Sequence, residues 1–290
     1  MKQLKQIFLI LLFCAVLFSC SGCVDQTQGK NSKTIVATSV STAEICEKLN
    51  IPLAGVPHSD IYKIPECYKD LPEIGMPMSP DMEVISSMKP DWILSPVSLI
   101  SDLKPKYDAI DSKYAFLNLN SIPGMYKSIQ ELGALFDRKE EAEKLVREFE
   151  NFYVSFQAKN KGKTPPHVLI LMGLPGSYVV ATENSYVGSL VKMAGGINVY
   201  QGEEKDFLSI KTEDMLKKDP DIILRTAHAL PDEVMEMFSE EFKTNDIWKH
   251  FKAVKNKKVY NLSYNQFGMS ANFQYQDALE QLESILYPKE

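Results

Sequence analysis

Histidine and cysteine are scarce in this chain, and the scarcity excludes several chemistries. Of 290 residues only five are cysteines. Beyond the N-terminal segment only Cys46 and Cys67 remain, too few for a disulfide framework or a thiolate metal cluster. They are expected as two buried thiols, with one bridge between them as the alternative. The four histidines, His58, His167, His228 and His250, are widely dispersed, and a zinc site wants three or four ligands in one cluster. No apolar run reaches the ~20 residues of a membrane-spanning helix. Basic charge is lacking too: the formal net charge is -6, or -8 without Lys2 and Lys5, and no basic stripe interrupts it. Nucleic acid and anionic lipid are therefore excluded as partners.

The N-terminus carries Lys2 and Lys5, an apolar run from Ile7 to Phe18, and then small residues and cysteines. That is the pattern of an export signal. Leu17-Phe18-Ser19-Cys20 resembles a bacterial lipoprotein cleavage box, which would leave Cys20 as a lipidated mature N-terminus. Cys23 is the competing site, with Cys20 where a leucine is usual. Residues 1–19 are thus expected as signal peptide and residues 20–32, polar and without periodicity, as a flexible tether. The remainder, in a chain that is 44% hydrophobic, is long enough to bury two ordinary cores.

One pattern occurs twice. Glu83 to Leu94 (EVISSMKPDWIL) and Glu213 to Leu224 (EDMLKKDPDIIL) match at Glu83/Glu213, Pro90/Pro220, Asp91/Asp221, Ile93/Ile223 and Leu94/Leu224. Each copy reads as helix, Pro-Asp turn and buried strand, so the chain is expected to hold two similar lobes with a binding site between them. The N-terminal lobe, residues 33–136, offers a strand at 34–38, a helix at 43–49 after the hydroxyl run Ser39 to Thr42, a strand at 51–56, and a strand at 114–119. Alternation of strands and helices predicts parallel α/β sheets. The C-terminal lobe, residues 161–290, restarts with the apolar strand His167 to Met172 and a helix at 187–193. Between them, residues 137–160 show the i, i+3, i+4, i+7 spacing of a long amphipathic helix, with Asp137 and Glu140 as a capping box. Such a helix would limit relative motion of the lobes.

Candidate chemistry lies at strand ends. His228 follows the second repeat's strand, where open α/β sheets place ligands. On the other lobe, Met76-Pro77-Met78 precedes the first repeat's helix, and thioethers between prolines are poorly placed as core filler. A methionine from one lobe and a histidine from the other suggest axial ligation of haem iron, with no open position for oxygen. Glu83 and Glu213, one per lobe, form a matched acidic pair for docking a partner. They belong to different lobes, which removes paired-carboxylate catalysis. His58 is a further candidate for a distal contact or alternative ligand. Arg225, Tyr178 and Tyr264 would serve a ferric siderophore instead, and an open iron position would make the protein a haem enzyme.

The stretches LFSC, PEIGMPMSPDMEVI, VLILMGLPGSYVVAT, SLVKMAGGINV, PDIILRTAH, NDIWKHFKAVKNKKVY and FGMSAN run through the whole chain. In them it resembles the haem-binding lipoproteins of the iron-regulated surface determinant system of Gram-positive bacteria. The resemblance implies two Rossmann-like lobes joined by one backbone helix, and a substrate-binding component of a haem ABC importer with no enzymatic activity. It implies that Met78 and His228 are the axial ligands of one haem b per chain, and that Val40, Ser41, Ser59 and Asp60 line the haem. Val40-Ser41 precede a helix whose free N–H groups would receive a propionate, and Asp60 needs a donor to sit beside one. Glu83 and Glu213 would meet basic residues of the permease, with its ATPase and surface haem-donor proteins as further partners. The protein would be a monomer on the extracytoplasmic face of the membrane, held by lipid, including palmitate, at Cys20. One departure is Met76, a second thioether where a polar residue is expected.

Overall fold

The computed structural model describes residues 33–288. The first half runs β1 (Ile35–Ala37), α1 (Val40–Lys48), β2 (Gly75–Met76), β3 (Ser79–Pro80), α2 (Met82–Met88), β4 (Trp92–Pro96), α3 (Ile100–Tyr107), β5 (Lys113–Leu117) and α4 (Ile122–Leu135). A long helix, α5 (Lys139–Asn160), leads to the second half. That half runs β6 (His167–Leu174), β7 (Ser177–Ala181), α6 (Tyr186–Met193), β8 (Ile197–Asn198), β9 (Phe207–Leu208), α7 (Thr212–Leu216), β10 (Ile222–Ala227), α8 (Pro231–Thr244), α9 (Lys252–Lys255), β11 (Val259–Asn261), α10 (Tyr264–Phe267) and α11 (Tyr275–Leu286).

The duplicated unit is repeated atom for atom at its turn. In each copy a left-handed residue stands directly before the proline, Lys89 at φ 48° and Asp219 at φ 44°. A residue before proline is disfavoured from the right-handed helix, so neither helix runs on. The aspartate that follows then braces the neighbouring strand. Asp91 Oδ2 accepts the Thr34 N–H at 2.7 Å, and Asp221 Oδ2 accepts the His167 N–H at 2.9 Å. In return each aspartate's own N–H donates to that residue's carbonyl at 2.8 Å. The strands so registered, β4 on β1 and β10 on β6, are parallel.

The first sheet has the order β1-β4-β5 and is parallel throughout. The second has the order β11-β10-β6-β7-β9, with β8 paired to the start of β6. It is mixed, contrary to the parallel expectation. β6 doubles back into antiparallel β7 through Pro175-Gly176, with Gly176 at φ 77°, and a Pro-Gly pair is itself a turn signal. The strand expected at 51–56 is reduced to two isolated bridges, Val36 to Gly55 and Val56 to Glu73. Pro52 and Gly55 within it explain this, one lacking a donor and the other a side chain.

Two helix starts also differ from expectation. α1 begins at Val40 rather than 43, because Ser39 is the cap and its Oγ accepts the Thr42 N–H at 3.2 Å. α5 begins at Lys139 with no side-chain cap, and Asp137 is left-handed at φ 56°, so the Asp137/Glu140 box does not form. The corner between α4 and α5 is too tight for it: Arg138 N–H reaches Gly133 O at 2.7 Å. A Cβ on Gly133 would stand 2.6 Å from that of Ala142.

One apolar core runs from Ile35 and Leu94 through α4, α5 and α11 to Val168 and Leu224. At its centre Tyr126 stacks on Phe149 with ring centroids 4.5 Å apart, and the Tyr126 and Tyr275 hydroxyls are 3.1 Å apart. From Thr34 onward the chain forms one compact unit. Of the two thiols, Cys46 is buried and Cys67 exposed, both free. The expected pair of buried thiols is therefore corrected to one, whose pKa burial pushes up to about 12.

Candidate functional site

The N-terminal wall of the site is assembled by the two isolated bridges. They set residue 55 beside β1 and residue 73 beside residue 56. A further bond, His58 N–H to Gly75 O at 2.9 Å, then ties loop 57–62 to the β2–β3 hairpin. Val40 and Ser41 follow the end of β1, Ser59 and Asp60 lie on the loop, and Met78 lies in the hairpin turn.

Val40 and Ser41 do not precede α1; they are its first two residues. Ser39 Oγ serves the Thr42 N–H, while the first-turn N–H groups of a helix have no intrahelical partner. That leaves an electropositive edge fit for a carboxylate. Ser59 Oγ accepts the Tyr62 N–H at 3.0 Å. Asp60 lies 3.2 Å from His58 Nε2, while Nδ1 of the same ring meets Glu73 at 2.7 Å. Both nitrogens of His58 are thus engaged by carboxylates. The Glu73 carboxylate first, and Asp60 after it, hold the His58 pKa above its ordinary value. The cation so favoured is the donor that Asp60 needed.

Met78 is 61% exposed and Met76 48%. Pro77 and Met78 form the two-residue turn of the hairpin, so neither thioether is core filler. On the other lobe, His228 continues the ladder one residue beyond β10, with its N–H on Gly173 O at 2.8 Å. Its Nδ1 is buried without a hydrogen-bond partner. Burial holds its pKa below the ordinary histidine value, so the ring is neutral at pH 7. A neutral imidazole is the form that ligates a metal.

Sequence reasoning missed what joins the two walls. Tyr62 stacks on Tyr264 with centroids 5.3 Å apart, and its hydroxyl donates to the Tyr264 carbonyl at 3.3 Å. Tyr264 opens α10, which is fastened to β10 by Thr226 Oγ1 on Phe267 O at 2.8 Å. A tyrosine two residues after Asp60 was a weak signal, readable only with its partner in place. Glu44 on α1 is a second omission: burial, with Glu47 adding to it, raises its pKa.

Of the three siderophore candidates Tyr264 stands at the join with Tyr62, while the other two are engaged elsewhere. Arg225 lies over Phe242 at 4.8 Å and donates to Asn261 Oδ1 at 2.8 Å. The Tyr178 hydroxyl meets Glu241 at 3.0 Å. Among the described residues no three or more of histidine, cysteine, aspartate and glutamate gather to hold a metal ion. A cavity of about 640 Å³, walled by Asn118, Asn120, Lys192 and Asp206 among others, contains none of the predicted site residues. Glu83 and Glu213 occupy the same position in the first turns of α2 and α7, both exposed and without an ion pair among the described residues. Cys20 and Cys23 lie outside the described residues.

The Periplasmic binding protein family profile matches residues 35–265. The chain is 42% identical over 290 residues, 99% of each chain, to the high-affinity heme uptake system protein IsdE of Staphylococcus aureus strain Newman. Among solved structures it is similar to an ABC transporter substrate-binding protein from Listeria monocytogenes EGD-e, at 47% identity and TM-score 0.85. It is also similar to S. aureus IsdE complexed with heme, at 44% identity and TM-score 0.84. Each alignment covers 89% of this chain and 100% of the other.

Proposed function

The chain belongs to the periplasmic binding protein family, and from that premise we propose that it is the haem receptor of an ABC importer. It captures haem outside the membrane and delivers it to a permease; it is a binding protein, not an enzyme. The observation that carries the reading is His228, a neutral imidazole just beyond the end of β10 whose buried ring nitrogen has no hydrogen-bond partner among the described residues.

His228 and Met78 are the axial ligands in this reading, both neutral and together leaving oxygen no iron position. The N–H groups of Val40 and Ser41 and the Ser59-Asp60 loop receive the propionates, with His58 neutralising Asp60. One haem b is bound per monomeric chain. Cys20 carries the lipid, palmitate included, that holds the protein at the extracytoplasmic membrane face, and surface haem donors supply the cargo. Glu83 and Glu213, unpaired at matched helix starts, dock on basic residues of the permease, which its ATPase drives.

The test is a visible absorption titration of the chain without its first 19 residues with haemin, in wild type and in Met78→Ala and His228→Ala. A one-to-one, six-coordinate low-spin spectrum is expected, disturbed by either substitution and more by His228→Ala, since imidazole is the stronger ligand. Absence of any Soret change in wild type would remove haem as cargo.

A further inference from the structure

Leu230 breaks three local rules at once. It is the cap residue of α8, a 14-residue helix, yet its side chain caps nothing, where serine, threonine, aspartate or asparagine is preferred. Its backbone is left-handed, φ 44° and ψ 61°. The other left-handed non-glycine residues described are Asn50, Lys89, Asp137, Asp219 and Lys257, all polar, so Leu230 alone among them is apolar. For an apolar branched side chain this conformation is strained, and glycine is the usual occupant. Finally, the side chain is 48% exposed, so packing does not repay the strain.

The backbone at this point is over-determined. His228 is fixed to Gly173, α8 starts with the Val234 N–H on Leu230 O at 3.0 Å, and Pro231 follows directly. Only Ala229 and Leu230 separate the ligand histidine from the helix. The chain must turn sharply there, but nothing in the turn requires leucine.

The exposed large hydrophobics among the described residues are few. They are Ile61, Met76, Met78, Ile100, Val154 and Leu230. Ile61 follows Asp60, Met76 and Met78 belong to the thioether hairpin, and Leu230 lies two residues beyond His228. Four of the six thus stand beside proposed haem residues, three on one wall and one on the other. Strained and apolar residues left exposed together mark a binding site.

We infer that Leu230 is a haem-contact residue, laying its side chain on the apolar porphyrin from the His228 side, opposite Met78 and Ile61. The inference rests on the haem reading of the site. Leu230 sets the lifetime of the complex, because its apolar surface leaves water only when the macrocycle is bound.

The experiment measures haem release to excess apomyoglobin by stopped flow, and thermal unfolding without haem, for wild type, Leu230→Gly, Leu230→Asn and Leu230→Met. Glycine and asparagine accept the left-handed backbone, so both variants are expected to melt no lower than wild type. Both are expected to release haem about tenfold faster, the scale of one partly buried leucine. Methionine restores apolar contact and should stay within about twofold of wild type. Wild-type release rates in both the glycine and asparagine variants would overturn the inference and leave the haem reading standing. A lower melting temperature in Leu230→Gly would also overturn it, since the leucine would then serve packing. A wild-type chain that takes up no haem removes the reading and the inference together.

Discussion

His58 and His228 are driven in opposite directions by their surroundings. Glu73 and Asp60 favour the His58 cation, whereas burial disfavours that of His228. For His58, with its folded pKa raised, the stabilisation is fully present below the unfolded value, about 6.5, and is lost as pH rises through the folded pKa. For His228, with its folded pKa lowered, the unfolded chain binds the extra proton first. Stability therefore falls as pH drops from about 6.5 toward the folded value. Melting curves between pH 5 and 9 should show His58→Gln destabilised at the acid end and converging on wild type at the alkaline end. His228→Gln should instead lose part of the wild type's decline on acidification. Shifts of equal size at every pH in both variants would contradict this account. His228 was singled out from its place after a strand; its neutrality depends on burial, which no linear pattern discloses.

The element that organises the fold is the helix, Pro-Asp turn and strand, and its aspartates are structural braces. Asp91→Ala and Asp221→Ala should each cost about 1–2 kcal/mol, the scale of a backbone donor losing its partner. The Asp221 variant should lose more, because Lys252 Nζ also bonds this carboxylate at 2.7 Å. Urea unfolding of the two variants checks this, and an unchanged midpoint in both would show the turns hold without their side chains. The helix, Pro-Asp turn and strand of each copy and the long helix were legible from the repeat and the apolar periodicity. The errors arose where tertiary contact overrode local signal. Gly133 against Ala142 forced the corner that leaves α5 uncapped, and Pro52 with Gly55 reduced a strand to bridges. The antiparallel return of β7 was written in Pro175-Gly176 but lost within an apolar stretch.

At the scale of the whole molecule the two carboxylates assigned to docking lie far apart in sequence, on equivalent helices of different lobes. Glu83→Ala combined with Glu213→Ala should leave haem binding within about twofold of wild type while cutting haem-dependent growth severalfold. Loss of a complementary charge acts on encounter and register. Normal uptake by cells carrying the double variant would sink the assignment. The core, meanwhile, is shared: Tyr126, Phe149 and Tyr275 interlock α4, α5 and α11, and Tyr62 from the first half stacks on Tyr264 from the second. A body welded in this way has little freedom to signal occupancy by changing its outline. If the chain serves as the haem receptor proposed above, the transporter must then tell a loaded carrier from an empty one by touch, through the cargo itself.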